Sequence, residues 1–455
     1  MDAVFPIPIW DDQFDNLVDK VEGLRRKLGV RGDIVSARSR AKTIEVFGEP
    51  LSPNQVVERI CEAVRAGGIQ AVLQFTKQLD QAEVTSQTIR VQQREIDAAH
   101  RAADQDFLRA IRQVRENVLR FQHAILHQDT RMDVSGGGQL MHRYRPLQRV
   151  GICVPGGAAA YPSSLLMTAL CAEAAGVEQL AVVAPPTKYG TENQDFLATC
   201  GELGIGEVYR AGGAQAVAAL AYGVENLEPV DLICGPGNIF VALAKRYVYG
   251  EVAIDSIAGP SELVLVADDS IKAEVAAADL VAQAEHAPGS SLMLTTSKAL
   301  IDQVQHELAR LLPQLDRGQE ARESLLEYGA LVHLSDFESL VSITNRIAPE
   351  HLQIATHDAK EIIDQFRSVG AIFVGPQTPV AIGDYVAGPS HVLPTGGTAR
   401  FASGLSSNSF LRSTSIIEFD HAAVVKVSAT VAALAEREGL TAHRYSVDVR
   451  INEKP

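Results

Sequence analysis

The 455-residue chain has five cysteines, and no C-x-x-C pair among them. Cys61, Cys153, Cys171, Cys200 and Cys234 are widely spaced, which offers no thiolate metal site and suits a reducing compartment. No apolar run approaches the ~20 residues that span a bilayer. The first stretch, MDAVFPIPIWDDQFDNLVDK, carries early acids and no long apolar segment, so no secretory signal is expected there. Positive charge is also scarce: 41 Lys and Arg against 56 Asp and Glu give a net charge of -15. That balance excludes nucleic-acid and anionic-membrane surfaces, which need basic patches. Phosphate binding is left to helix N-termini, backbone amides and a few local cations. Hydrophobic residues at 46% and charged residues at 21% describe a globular chain. The expectation is a soluble, cytoplasmic protein with room for about three domains.

Residues 1 to about 50 read as an arm, with a short amphipathic helix near 11 to 28 and then a polar connector. Helical periodicity dominates from about 54 to 127, interrupted near 82 to 92 by a β-branched stretch. SGGGQ at 135 to 139 reads as a turn. Short apolar runs then recur at 149–154, 178–184, 207–211 and 231–234, with helical segments between them. A second series follows at 262–268, 291–296, 330–336 and 371–375. Strands alternating with helices predict parallel sheets built from βαβ units, in two successive layers. From about 403 the tail reads as mostly helical, ending in the strand-like YSVDVRI.

Three strand-to-helix junctions are rich in glycine: VPGGAAAYPSS (154–164), AGGAQA (211–216) and GPGNIF (235–240). Such loops lie at the carboxyl ends of parallel strands, where backbone N–H groups and helix N-termini can meet a phosphate. Gln215 and Asn238 fall near helix starts, with amides suited to ribose or nicotinamide groups. Tight turns use glycine routinely, however, and no glycine triplet has the G-x-G-x-x-G spacing. Any dinucleotide would be held without that fingerprint.

ADLVAQAEHAPGS (278–290) reads as an amphipathic helix stopped by Pro288 and Gly289, with Gln283 and His286 three residues apart near its end. Taken alone, it is a polar helix tip with His near the negative end of the dipole. In NRIAPEHLQIAT (345–356), Glu350 and His351 are adjacent after Pro349. A tight junction there can aim a carboxylate and an imidazole into one site as acid and base, or hold a satisfied polar pair. Asp384 and His391 sit in GDYVAGPSHVLPTGGTARF, the composition of an irregular binding loop, and Glu438 and His443 lie near the C-terminus. Together Gln283, His286, Asp384 and His443 would supply one amide oxygen, two imidazoles and one carboxylate, a donor set suited to Zn²⁺, with Mn²⁺ or Co²⁺ also admissible. Sequence spacing alone does not bring these four together.

Eight ordered motifs do more: RVGICVPGGAAAYPSSLLM, YRAGGAQAVAALAYG, GPGNIFVALAKR, AIDSIAGPSELVLVAD, DLVAQAEHAPGS, NRIAPEHLQIAT, GDYVAGPSHVLPTGGTARF and LTAHRYSV. With them the chain resembles the histidinol dehydrogenase family from about residue 55 to 450. The resemblance implies two Rossmann-like parallel-sheet domains (149–260 contacting NAD; 51–148 with 261–402 bearing metal and acid/base residues). To these it adds an N-terminal arm (1–50) and a C-terminal helical dimerisation segment (403–455). It implies zinc on Gln283, His286, Asp384 and His443, the last from the partner of an intertwined homodimer. The acid/base pair falls on Glu350 and His351, and NAD contacts on Cys153, Gln215 and Asn238. Substrate contacts fall on Ser261, Gln283, His286, His351, Asp384, His391, Glu438 and His443. The implied reaction is a four-electron oxidation of L-histidinol to L-histidine with two NAD⁺. Cys153 stands where the family commonly has tyrosine, Leu232 where lysine is frequent and Ser256 where methionine is frequent; the first fifty residues match poorly. The nearest rival is an NAD-dependent zinc dehydrogenase of another small polar alcohol, of the sulfopropanediol type. A zinc hydrolase or a non-catalytic binding protein would leave the glycine loops, or the Glu350–His351 pair, without a use.

Overall fold

Short apolar runs separated by amphipathic helices give parallel strands joined by helical crossovers, because a parallel pair cannot be closed by a tight turn. In the computed structural model, which describes residues 4–29, 37–156 and 160–452, the strands follow in chain order. They are β1 (Ile9–Asp11), β2 (Thr130–Asp133), β3 (Gln139–Pro146), β4 (Arg149–Cys153), β5 (Gln179–Ala184), β6 (Val208–Arg210) and β7 (Leu232–Cys234). After them come β8 (Ala253–Ile254), β9 (Ser261–Ala267), β10 (Gly289–Thr295), β11 (Gly329–His333), β12 (His351–Ala355), β13 (Ala371–Val374) and β14 (Leu411–Glu418).

Two all-parallel sheets result. One has five strands in the order β6-β5-β4-β7-β8; the other has six, in the order β1-β11-β10-β9-β12-β13. Apart from the edge strand β1, the two orders are the same. The first strand of each series is central, the second and third lie to one side, and the fourth and fifth to the other. Strands β4, β10, β11 and β12 are buried along their whole length, as expected where helices cover both faces, and their sequences are nearly continuous apolar runs for that reason. The crossover helices Pro162–Ala175, Gln194–Glu202, Gly213–Tyr222 and Ile239–Val248 fall between and after these strands, where helical segments were expected. Among the described residues no helix is long and apolar enough to cross a membrane.

Several expectations need correction. The arm is not apart from the core: β1 pairs with β11 at the edge of the second sheet, and the helix Leu17–Leu28 buries Leu17 and Val21 against it. Part of the expected polar connector (30–36) lies outside the described residues, and Ala37–Phe47 beyond it is helical. Residues 51–148 were expected to belong with 261–402, yet Val56, Ile60 and Val64 of the helix Pro53–Gly67 share a core with Ala181, Val217 and Ile233 of the first sheet's unit. Glycines 136–138 do make a turn, but it joins β2 to β3 in a small antiparallel sheet completed by β14. The strand-like YSVDVRI is helical within Thr441–Asn452, because that segment packs back on the helix His421–Arg437. Tertiary pairing overrides the β-branched alternation of Val447, Val449 and Ile451.

Candidate active site

A cleft of about 1590 Å³ is lined by residues of both parallel units. The first unit contributes the carboxyl ends of its strands: Cys153 closes β4, Gly212 to Gln215 follow β6, and Pro236 to Asn238 follow β7. The second unit contributes amino ends. Ser261 opens β9, Gln283 ends the helix Ala273–Ala284, and Glu350 and His351 stand at the start of β12. His286, Asp384, Tyr385 and His391 complete that side.

On the glycine side, Gly235 adopts φ +101° where a Cβ would meet the Cys153 carbonyl oxygen at 2.2 Å, so only glycine fits this turn. Buried Lys245 pairs with Asp255 and donates to the Gly235 carbonyl (3.0 Å), while Asp255 accepts from the Gly235 N–H (2.8 Å). The turn is thereby fixed beneath Asn238. Asn238 spends its oxygen on capping the helix Ile239–Val248, accepting from the Phe240 and Val241 N–H groups at 3.0 and 3.2 Å. Only its amide nitrogen is left for a ligand. Gln215 donates to Asp80 (3.2 Å), and its oxygen is buried without a partner. Burial lifts the Asp80 carboxyl to about 6. The Cys153 thiol is buried and pushed up to about 12, so it stays protonated and inert. Residues 157–159 of the first glycine loop lie outside the described residues.

On the other side the helix Phe337–Ile347 ends with Ala348 in the left-handed region, and Pro349 then directs Glu350 and His351 inward. The expected tight junction is present, but it runs straight into β12, a strand not anticipated. The Glu350 carboxylate accepts from the Ser261 hydroxyl (2.6 Å) and the Glu262 N–H (2.9 Å) through one oxygen. Burial nevertheless pushes its pKa up to about 8, with the Asp384 charge adding to the rise. His351 donates from Nδ1 to the Glu262 carbonyl (3.0 Å), which leaves the Nε2 lone pair free. Burial also lowers the His351 pKa, so the neutral ring is a ready base. One residue, Glu262, therefore grips both members of the pair through its backbone, while its own buried carboxyl accepts from the Gly396 N–H (3.0 Å) and is pushed up to about 8.

Gln283, His286, Asp384 and His391 share this side of the cleft. His391 donates from Nδ1 to the Asp384 carbonyl (3.0 Å), and burial keeps both His286 and His391 below the usual imidazole range. Neutral imidazoles, a carboxylate and an amide oxygen at the negative end of a helix dipole are a donor set that fits a borderline divalent cation. The Gln283 amide nitrogen is buried and lacks a partner. Two expected residues are elsewhere: Glu438 and His443 are exposed on the C-terminal helix pair and do not line the cleft. Among the described residues, compact groups of three His, Asp or Glu donors occur at Asp11–Asp12–His333 and Asp268–His357–Asp358, and neither lines the cleft. Asp80, Glu262 and Asp279 were not singled out from the sequence. Glu262 and Asp279 carried a local signal, the first standing beside Ser261 and the second opening the motif that holds Gln283 and His286.

A family model described as histidinol dehydrogenase matches residues 50–451. A histidinol dehydrogenase of Rhodopirellula baltica is 53% identical over 97% of this chain and 96% of its own length; that of Halalkalibacterium halodurans is 44% identical over 88% and 94%. The crystal structure of histidinol dehydrogenase from Elizabethkingia anophelis superposes with a TM-score of 0.87 at 29% identity, covering 99% of both chains. With sequence match, fold and cleft in agreement, the chain belongs to the histidinol dehydrogenase family of oxidoreductases.

Proposed function

We propose that this protein oxidises L-histidinol to L-histidine through L-histidinal, passing two hydrides in turn to two NAD⁺, the closing reaction of histidine biosynthesis. The observation that supports it most is the cleft itself, with an acid/base pair and metal-type donors on one side and glycine-bound helix N-termini on the other. Gln283, His286 and Asp384, with His443 of the partner subunit, would hold zinc, which supplies a fixed positive charge to bind the substrate's amine and imidazole nitrogens. NAD⁺ would lie along the unit 149–260 near Cys153, Gln215 and Asn238.

The chain's own groups divide the work. His351 Nε2 takes the alcohol proton as the first hydride leaves carbon. Glu350 removes a proton from water as that water adds to the aldehyde, while His351 returns its proton to the carbonyl oxygen, giving the hydrate and a neutral ring again. His351 takes the hydrate's hydroxyl proton as the second hydride leaves, and the carboxylic acid ionises. Ser261 and Glu262 hold one Glu350 oxygen, which leaves the other to face the water. His391 and Glu438 of the partner subunit would contact the substrate's polar groups.

The second subunit would dock on the small sheet β2–β3–β14 and the C-terminal helix pair, where Ile417, Leu434 and Tyr445 are exposed. The test is NADH formed per L-histidinol consumed by zinc-loaded protein. Two per substrate, lost on chelation and restored by zinc, is expected; one or none overturns the four-electron reading.

A further inference from the structure

The buried nitrogen of the Gln283 amide has no partner, and an amide can present its oxygen steadily to a cation only if its nitrogen is held. Asp279 lies one helical turn earlier on Ala273–Ala284, on the same face as Gln283. It is 9% exposed and lines the cleft, and Gln353, fully buried in β12, donates to its Oδ2 at 2.6 Å. One carboxylate oxygen is thus fixed from the sheet side, and the Gln283 nitrogen is a buried, unmet donor one turn along the same helix. Burial alone would cost the Asp279 carboxylate, and it raises its pKa; a second N–H donor would offset that cost.

We propose that Asp279 is a positioning residue for the metal site: its carboxylate, fixed by Gln353, takes the Gln283 N–H and turns the Gln283 oxygen toward the cation. The inference rests on the zinc reading given above. The relay runs from β12, whose first residue is His351, through Gln353 and Asp279 to the helix end carrying Gln283 and His286. The strand with the base and the helix with the metal donors are thereby set in one register.

The test is zinc affinity by competition with a chromophoric chelator, together with zinc content per chain, on purified full-length protein. Asp279→Leu keeps the branched shape, with bulkier ends, and removes the acceptor. It is expected to weaken zinc by about 10–100-fold, the usual loss when the group orienting a ligand is removed. Asp279→Asn retains one acceptor oxygen and should lose less. If Asp279→Leu does not fold, Gln353→Met serves in its place: it frees the carboxylate from the sheet and is expected to weaken zinc by a smaller factor. A folded Asp279→Leu or Gln353→Met chain that binds zinc as tightly as wild type overturns the inference alone. A wild-type chain that holds no zinc overturns the metal reading, and this inference with it.

Discussion

The two parallel sheets share a strand order but turn opposite edges to the cleft. The first presents carboxyl ends, so the crossover helices beginning at Pro162, Gly213 and Ile239 start at the cleft side of their sheet. The second presents the amino ends of β9 and β12, together with the C-terminus of the helix Ala273–Ala284. Helix N-termini carry about half a positive charge and C-termini about half a negative one. The same architecture, turned over, therefore gives one side suited to phosphates and one suited to a cation. The rule that ligands bind at the carboxyl ends of strands describes the first sheet only. Under the proposed reaction the second departs from it, because that reaction asks for side chains at strand starts rather than backbone amides.

Breaking the second edge has the largest expected effect. His351→Ala is expected to lower kcat for histidinol by about 10²–10⁴-fold, the usual contribution of a positioned base. NADH affinity, read by fluorescence titration, should change little, because His351 stands on the amino edge. An equal loss of NADH binding would erase the division of labour between the edges.

Glu350→Gln sharpens the comparison within that edge. It should impair oxidation of added histidinal by about a hundredfold or more and the alcohol step by less. Equal loss on both would remove the water-activating assignment. The sign of the pH effect follows from burial: with its pKa pushed up to about 8, the Glu350 carboxyl is mostly neutral at pH 7. Its basic form grows about fivefold between pH 7 and 8 and levels above that. The rate of histidinal oxidation should rise in that window in the wild type and lose that limb in Glu350→Gln. A rate flat between pH 6.5 and 8 would contradict it.

Much of the first unit was legible from sequence, because its strands and helices alternate cleanly and glycines mark each junction. The second unit was legible except at its edge strand β1, which sits in the segment read as an arm, and at β12, where Gln353 interrupts the apolar run HLQIA and a Glu-His pair at its head reads as loop. In the interior that glutamine spends its nitrogen on Asp279, a partner 74 residues away in sequence. Strand β14, LRSTSIIE, has no apolar face to reveal it, since it is largely exposed and held by pairing with β3. The acid/base pair and three of the metal-type donors could be suspected as polar residues in apolar or irregular settings. Their convergence could not, because it depends on which edge of the second sheet faces the cleft. Glu438 and His443 are harder still: within one chain they face solvent, and only a family resemblance ties them to the site.

The smallest expected effect tests the first edge at Asn238, where two roles can be separated. Its oxygen caps Ile239–Val248 by accepting two N–H groups, so Asn238→Ala should cost about 1 kcal/mol of stability, read as a lower urea midpoint. Asn238→Asp keeps the capping oxygen and adds negative charge beside a helix N-terminus, which stabilises the helix. Its midpoint should return to the wild-type value or pass it. The same charge faces whatever anionic ligand that helix end receives, so NADH affinity should fall in Asn238→Asp although stability does not. If the aspartate variant binds NADH as well as wild type, the helix N-terminus at Ile239 is not where the dinucleotide's phosphates lie. The contrast between a phosphate edge and a cation edge would then have to rest on the Pro162 and Gly213 helices alone.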